Sequence, residues 1–186
     1  MFKELLARTA RQLDRRDIPY MVIGGQAVLL YGEPRLTRDI DITLGVGPEK
    51  AADIVGLAGE LDLRILVEDP LEFAGSTFVL PCREEKTGIR LDFIFSRSSY
   101  EEQALRRTNV VRIQDVEVKF ASLEDLIIHK VIAGRPRDLE DVKVVLARNQ
   151  EFDRDYVLSW LREFDRALQT DFTGSFLELL RNQDAS

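Results

Sequence analysis

What is scarce in this sequence narrows its chemistry first. There is one cysteine, Cys82, so no intrachain disulfide can form and nothing points to an oxidising compartment. With a single histidine, His129, beside that lone cysteine, the usual Cys and His ligands of a zinc site are missing. A Ser-His-Asp triad would have to use His129, and no Gly-x-Ser-x-Gly elbow accompanies it. His129 also lies off the main apolar stripe of its expected helix, which marks it as a partly exposed bystander. A Gly-x-x-x-x-Gly-Lys-Ser/Thr string is absent, which excludes a P-loop, and no Gly-x-Gly-x-x-Gly pattern supports a Rossmann nucleotide site. No apolar run approaches the roughly 18 residues of a membrane span. Met1-Phe2-Lys3-Glu4-Leu5-Leu6 places charges where a secretory signal has its apolar core, so the expected compartment is the cytoplasm. Positive charge is in deficit too. Lys and Arg number 26 against 33 Asp and Glu, a net charge of −7. That argues against an extended nucleic acid, which needs a basic face to displace counterions, while leaving room for a small or end-on RNA.

What is present centres on Ile23 to Leu44. The apolar run Tyr20-Met21-Val22-Ile23 ends in Gly24-Gly25, a short helical segment follows, and a polar connection leads to Asp39-Ile40-Asp41-Ile42. Successive strand side chains alternate faces, so Asp39, Asp41 and Thr43 share one face while Ile40, Ile42 and Leu44 turn to the core. Two carboxylates on one face repel unless a positive group sits between them. A divalent cation such as Mg²⁺ suits these hard oxygen donors and keeps sites for substrate phosphates. The glycine pair lets backbone approach a ligand closely, and N–H groups at a helix start attract phosphate. A phosphate cradle followed by a carboxylate pair is the layout of phosphoryl or nucleotidyl transfer.

The remaining chain, 186 residues in all, reads as one domain with a helical annex. Apolar residues at helical spacing predict helices over 2–16, from Pro48 to Leu61, over Tyr100 to Arg107, from Ser122 to Ala133, from Pro136 onward, over 153–168 and briefly at Phe176 to Leu180. Strands are expected at Leu63 to Val67, Thr77 to Cys82 and Ile89 to Phe95, with a small hairpin at Val110 to Ile113 and Val116 to Phe120. Pro81 suggests an edge or a bulge. In the strand ending at Phe95, Asp92 sits opposite Leu91, Phe93 and Phe95. A carboxylate inside so apolar a strand is costly unless paired or metal-bound, the alternative being a solvent-facing aspartate. Ser122 and Asp125 have the spacing of a capping box. Lys130 falls within the apolar stripe of its helix, and an ammonium there must reach a carboxylate or a ligand phosphate. With Arg135 and Asp138 it would converge where two helices meet.

Hydrophobic-Gly-Gly, thirteen residues, then Asp-hydrophobic-Asp-hydrophobic resembles the signature of the DNA polymerase β-type nucleotidyltransferase superfamily. The fuller string, with Ala27, Gly32, Arg35, Thr37, Asp39 and Asp41, is similar to that of its small bacterial members, the antibiotic nucleotidyltransferases and abortive-infection toxins. The resemblance implies an α/β (α+β) fold: a mixed twisted sheet of about five strands flanked by helices, with residues 1–120 as catalytic core and 121–186 as a helical C-terminal part of one domain. It implies a third carboxylate on a strand next to Asp-x-Asp, and Asp92 is the matching position. The string Glu-Asp-Leu, Lys, Ala-x-Arg, Asp-Leu-x-Asp over Glu124 to Asp141 also resembles the family, where the lysine contacts nucleotide phosphates; Lys130 would do so here, or would form an ion pair with Asp138.

On this reading Asp39 and Asp41 are metal ligands, and Asp92 is a further ligand or the base for the acceptor hydroxyl. Two Mg²⁺ ions and an NTP such as ATP are implied. Gly24 and Gly25 supply backbone contacts to phosphates, while Arg35 and Thr37 bind phosphate or brace the loop. The acceptor is an RNA end, a protein or a small molecule. A toxin with a cognate antitoxin is one setting, and a nucleotide-binding or partner-binding module without turnover is the alternative.

Overall fold

The computed structural model describes residues 1–33, 37, 39–96 and 98–184. The chain divides into two compact units. The first comprises Met1–Gln26 and Leu36–Ala121, and the second Ala27–Arg35 and Ser122–Ser186.

The first unit is a twisted seven-stranded mixed sheet with helices packed on it. Its strands are β1 (Tyr20–Ile23), β2 (Asp39–Leu44), β3 (Leu63–Ile65), β4 (Val79–Glu84), β5 (Arg90–Phe95), β6 (Asn109–Ile113) and β7 (Val116–Phe120), in the order β3-β4-β5-β2-β1-β7-β6. The pairs β2/β5 and β1/β7 are parallel and the others antiparallel. Apolar alternation drives the centre. Ile40, Ile42 and Leu44 of β2 and Leu91, Phe93 and Phe95 of β5 are all buried on one face. Helix α1 (Phe2–Arg15) buries Leu5, Leu6, Ala10 and Leu13 and packs on β7 and β6.

The sheet is wider than the five or so strands expected, because the β6–β7 hairpin joins it. Val22 pairs with Phe120, and the Ala121 N–H donates to the Val22 carbonyl at 2.9 Å. A parallel pairing between such distant segments leaves no mark in local periodicity. Another difference is α4 (Pro70–Thr77), a helix between the strands expected at Leu63 to Val67 and Thr77 to Cys82, where none was expected. Asp69 caps it, accepting from the Glu72 N–H at 3.1 Å, and Pro70 occupies the first turn. Its C-cap, Phe78, has φ of 60°, so β4 starts at Val79 rather than Thr77. Pro81 is on neither an edge nor a bulge: β4 runs between β3 and β5. The short β3 pairs with Cys82 to Glu84 alone, so Pro81 lies past that register.

Helices α3 (Ala51–Glu60), after a 3-10 turn at Pro48–Lys50, and α5 (Ser99–Arg106), opened by a Ser98–Glu101 capping box, complete this unit. Helix α2 (Gly24–Tyr31) begins in the first unit and continues into the second.

The second unit is helical: α6 (Leu123–Ala133), α7 (Pro136–Arg148), α8 (Arg154–Leu168) and α9 (Phe172–Asp184), the last longer than expected. Ser122 caps α6, accepting from the Asp125 N–H at 3.1 Å. The Asp125 carboxylate in turn takes the Ser122 hydroxyl at 2.6 Å and the Tyr156 phenol at 2.9 Å, which lets it stay fully buried. Gly134, with φ of 61°, ends α6 and lets Pro136 open α7. From α7, Arg148 donates to the Gly32 carbonyl at 3.1 Å, and the next residue, Asn149, to the Tyr31 carbonyl at 2.8 Å. No helix among the described residues is long and apolar enough to cross a membrane.

Candidate active site

The parallel register of β2 and β5 builds the site. Asp39 lies opposite Arg90, and Asp41 opposite Asp92. Asp39, Asp41, Arg90 and Asp92 therefore share the sheet face away from Ile40, Ile42, Leu91 and Phe93. Asp39 is exposed, Asp41 and Asp92 half-buried.

Gly24 closes onto this face where β1 turns into α2. Its φ is 64°, and a Cβ added there would collide with the Asp41 carboxylate. Two separate constraints, backbone and packing, thus require glycine at this position. The first N–H groups of α2, which have no partners within the helix, open beside a strand carrying carboxylates. Gly25 follows as the second residue of α2. Thr37 donates its hydroxyl to the Asp39 carbonyl at 3.4 Å. Arg35 lies outside the described residues, as does Arg38.

Arg90 had no role in the sequence reading. Its Nε donates to both carboxylate oxygens of Asp92, at 2.9 and 3.1 Å. The hydrogen bond to Asp92 raises the guanidinium pKa, against the opposing effect of burial, and the charges of Asp92, Asp39 and Asp41 raise it further. The signal was in the sequence: Arg90 and Asp92 are two apart on one strand and so project from the same face.

Lys130 belongs to the helical unit and sits in a buried ion cluster. Its Nζ is 2.6 Å from Asp138 Oδ1 and 2.9 Å from Asp141 Oδ2, and Arg135 Nε is 2.5 Å from Asp138 Oδ2. The side chains of Lys130, Asp138 and Asp141 are 9%, 4% and 6% exposed. Burial pushes the Asp138 carboxyl upward, but hydrogen bonds from Arg135 and Lys130 outweigh it and hold the group below the usual carboxylate range. Lys130, Arg135 and Asp138 meet between α6 and α7. Asp141, to which the sequence reading gave no role, completes the cluster.

The donor chemistry of the acid face fits a hard divalent cation: three carboxylates share one surface, and glycine gives backbone access beside Asp41. Among the described residues, however, no three His, Cys, Asp or Glu side chains are drawn together as metal ligands would be. Asp92 is turned to Arg90 instead.

Residues 2–155 match the family described as nucleotidyltransferase of unknown function (DUF6036). The chain belongs to this family. A comparison with curated proteins finds no match. Among solved structures, the DUF6036 chain is similar to ANT(2'')-Ia in complex with adenylyl-2''-tobramycin (17% identity, 90% of this chain and 98% of that one, TM-score 0.59). It is also similar to an antigenic nucleotidyltransferase-like protein from Paracoccidioides brasiliensis (15% identity, 93% and 90% coverage, TM-score 0.56). A third is a lincomycin-bound lincosamide antibiotic adenylyltransferase (16% identity, 72% and 89% coverage, TM-score 0.50). At these identities the likeness is one of fold. The DUF6036 chain has the nucleotidyltransferase-like fold, with a helical C-terminal part.

Proposed function

We propose that this protein is a Mg²⁺-dependent nucleotidyltransferase that moves a nucleoside monophosphate from an NTP to a hydroxyl acceptor. One observation carries the reading: Asp41 and Asp92 stand opposite each other on parallel strands, with the Gly24 turn packed against Asp41. Asp39, Asp41 and Asp92 would hold the cations, which supply charge neutralisation at the transferred phosphorus and at the acceptor oxygen. The N–H groups of Gly24 and Gly25 would bind the β and γ phosphates. Thr37, and on the sequence pattern Arg35, would contact the triphosphate or brace the connection before β2. Asp92 would also accept the acceptor's proton. These roles are positional and electrostatic, which is most of what nucleotidyl transfer asks of a protein.

Its ion pairs with Asp138 and Asp141 support a fastening role for Lys130 between α6 and α7. A triphosphate role would require its ammonium to exchange a carboxylate for a phosphate. For the acceptor, ANT(2'')-Ia is a guide to class, since its solved complex holds adenylyl-2''-tobramycin. A small hydroxylated molecule, an RNA end and a protein hydroxyl all present the required group, and a toxin held by an antitoxin is the setting suggested by the motif string. A nucleotide-binding module without turnover is the second reading, favoured by the engagement of Asp92 by Arg90.

Incubation with each labelled NTP, Mg²⁺ and a cell extract tests both. Label transferred to RNA, protein or a small molecule, and lost on chelation, establishes the enzyme and names its acceptor. Bound nucleotide with no transferred label leaves the module.

A further inference from the structure

The carboxylate face carries a cation of its own. Arg90 is in register with Asp39 and donates through Nε to both oxygens of Asp92. Among the described residues, the carboxylates of Asp39, Asp41 and Asp92 and the guanidinium of Arg90 share this surface. A guanidinium cannot lose its proton under ordinary conditions, so it can leave Asp92 only by moving. It is free to move, because the Arg90 side chain is 47% exposed against 17% for Asp92. Swinging into water would cost it little solvation, unlike the 9% exposed Lys130 in its cluster.

We propose that Arg90 is a resident countercation for Asp92 on the acid face: it holds Asp92 while no metal is bound and competes with a divalent cation for that carboxylate. The proposal rests on the metal-dependent reading above and adds a residue that sets how tightly metal is held. With Arg90 in place, the apo protein is protected from repulsion among its carboxylates, and metal affinity is lowered in return.

The test is Arg90→Gln, which removes the charge and keeps a donor, beside Arg90→Lys, which keeps the charge and loses the fork. Mn²⁺ serves as the probe, its free concentration read from its paramagnetic resonance signal, and melting is followed in EDTA and in saturating Mg²⁺. Arg90→Gln should bind Mn²⁺ roughly tenfold more tightly than wild type. It should also melt lower in EDTA, with the deficit closing when Mg²⁺ is added. Arg90→Lys should stay near wild type in Mn²⁺ affinity. Equal or weaker Mn²⁺ binding in Arg90→Gln, or equal tightening in both variants, overturns the proposal. If Arg90→Gln fails to fold, its recovery when prepared in Mg²⁺ supports the proposal, and failure in both conditions overturns it. Transfer by wild type with unchanged Mn²⁺ affinity in the variant removes this inference and keeps the proposed function. Tighter Mn²⁺ binding by the variant with no transfer by wild type does the reverse.

Discussion

Two constellations in this protein are built from the same chemical parts and behave oppositely. On the sheet face, Asp92 pairs with the Arg90 guanidinium, which is half in water, and Asp39 and Asp41 lie on the same side. Between α6 and α7, Asp138 and Asp141 enclose the ammonium of Lys130, with Arg135 on the outer side, and the three enclosed groups are buried. Burial makes the second a fastener, since Lys130, Asp138 and Asp141 cannot part cheaply, while Arg135, 75% exposed, is its outer member. Access to water makes the first a place where something further can bind. Carboxylate count alone would not have separated them.

The sharpest way to break this contrast is to remove one carboxylate from the face. Asp41→Ala should reduce nucleotidyl transfer by on the order of 10³-fold or more, about 4 kcal/mol in the barrier, while melting no lower than the parent. A large drop in melting temperature would make Asp41 structural. Lys130→Met should do the opposite. It takes the ammonium from two buried carboxylates, of which Asp138 keeps Arg135, costing about 3–5 kcal/mol and lowering the melting temperature by on the order of 10 °C. Lost nucleotide binding at unchanged melting temperature would instead place Lys130 on the triphosphate.

Gly24→Ala falls between the two. A left-handed φ and the collision with Asp41 should cost about 1–3 kcal/mol and suppress transfer together, read by urea unfolding alongside the transfer assay. Acid sharpens the cluster further. Asp138 has a folded pKa held below its unfolded value, so its contribution is complete above the unfolded pKa and is lost as pH falls through the folded one. Melting scans below about pH 4 should therefore show a steeper loss in wild type than in Asp138→Asn. The smallest effect is expected at Cys82, where burial, and then the charge of Asp92, push the thiol up to about 12. Iodoacetamide should label it only as the protein unfolds; labelling at the native rate of an exposed thiol would show that β4 opens locally.

Alternation made much of the face legible. Asp39 and Asp41 share a side because strand period is two, and Asp92 stands apart from Leu91, Phe93 and Phe95 for the same reason. That β5 lies next to β2 came from resemblance, because strand order is a property of the whole sheet. Arg90 was overlooked although the same alternation places it beside Asp92; attention to carboxylates obscured the cation between them. Asp141 was hidden by helical spacing, since its partner Lys130 is on another helix. Helix α4 was missed because its eight residues include Gly75, Ser76 and Thr77, which weaken a helical pattern, though the Asp69-Pro70 cap was readable.

The route of the chain has a consequence for how such a protein can be altered. Ala27–Arg35 belongs to the helical unit but is threaded between two stretches of the sheet unit. A truncation after Ala121 would leave the Tyr31 and Gly32 carbonyls without Asn149 and Arg148. Exchange of the helical half by a single genetic crossover would fail in the same way, because a recipient would receive four helices and lack the segment they close upon. Any natural or engineered swap has to replace both pieces together, and its first cut has to fall inside α2, after the glycine turn.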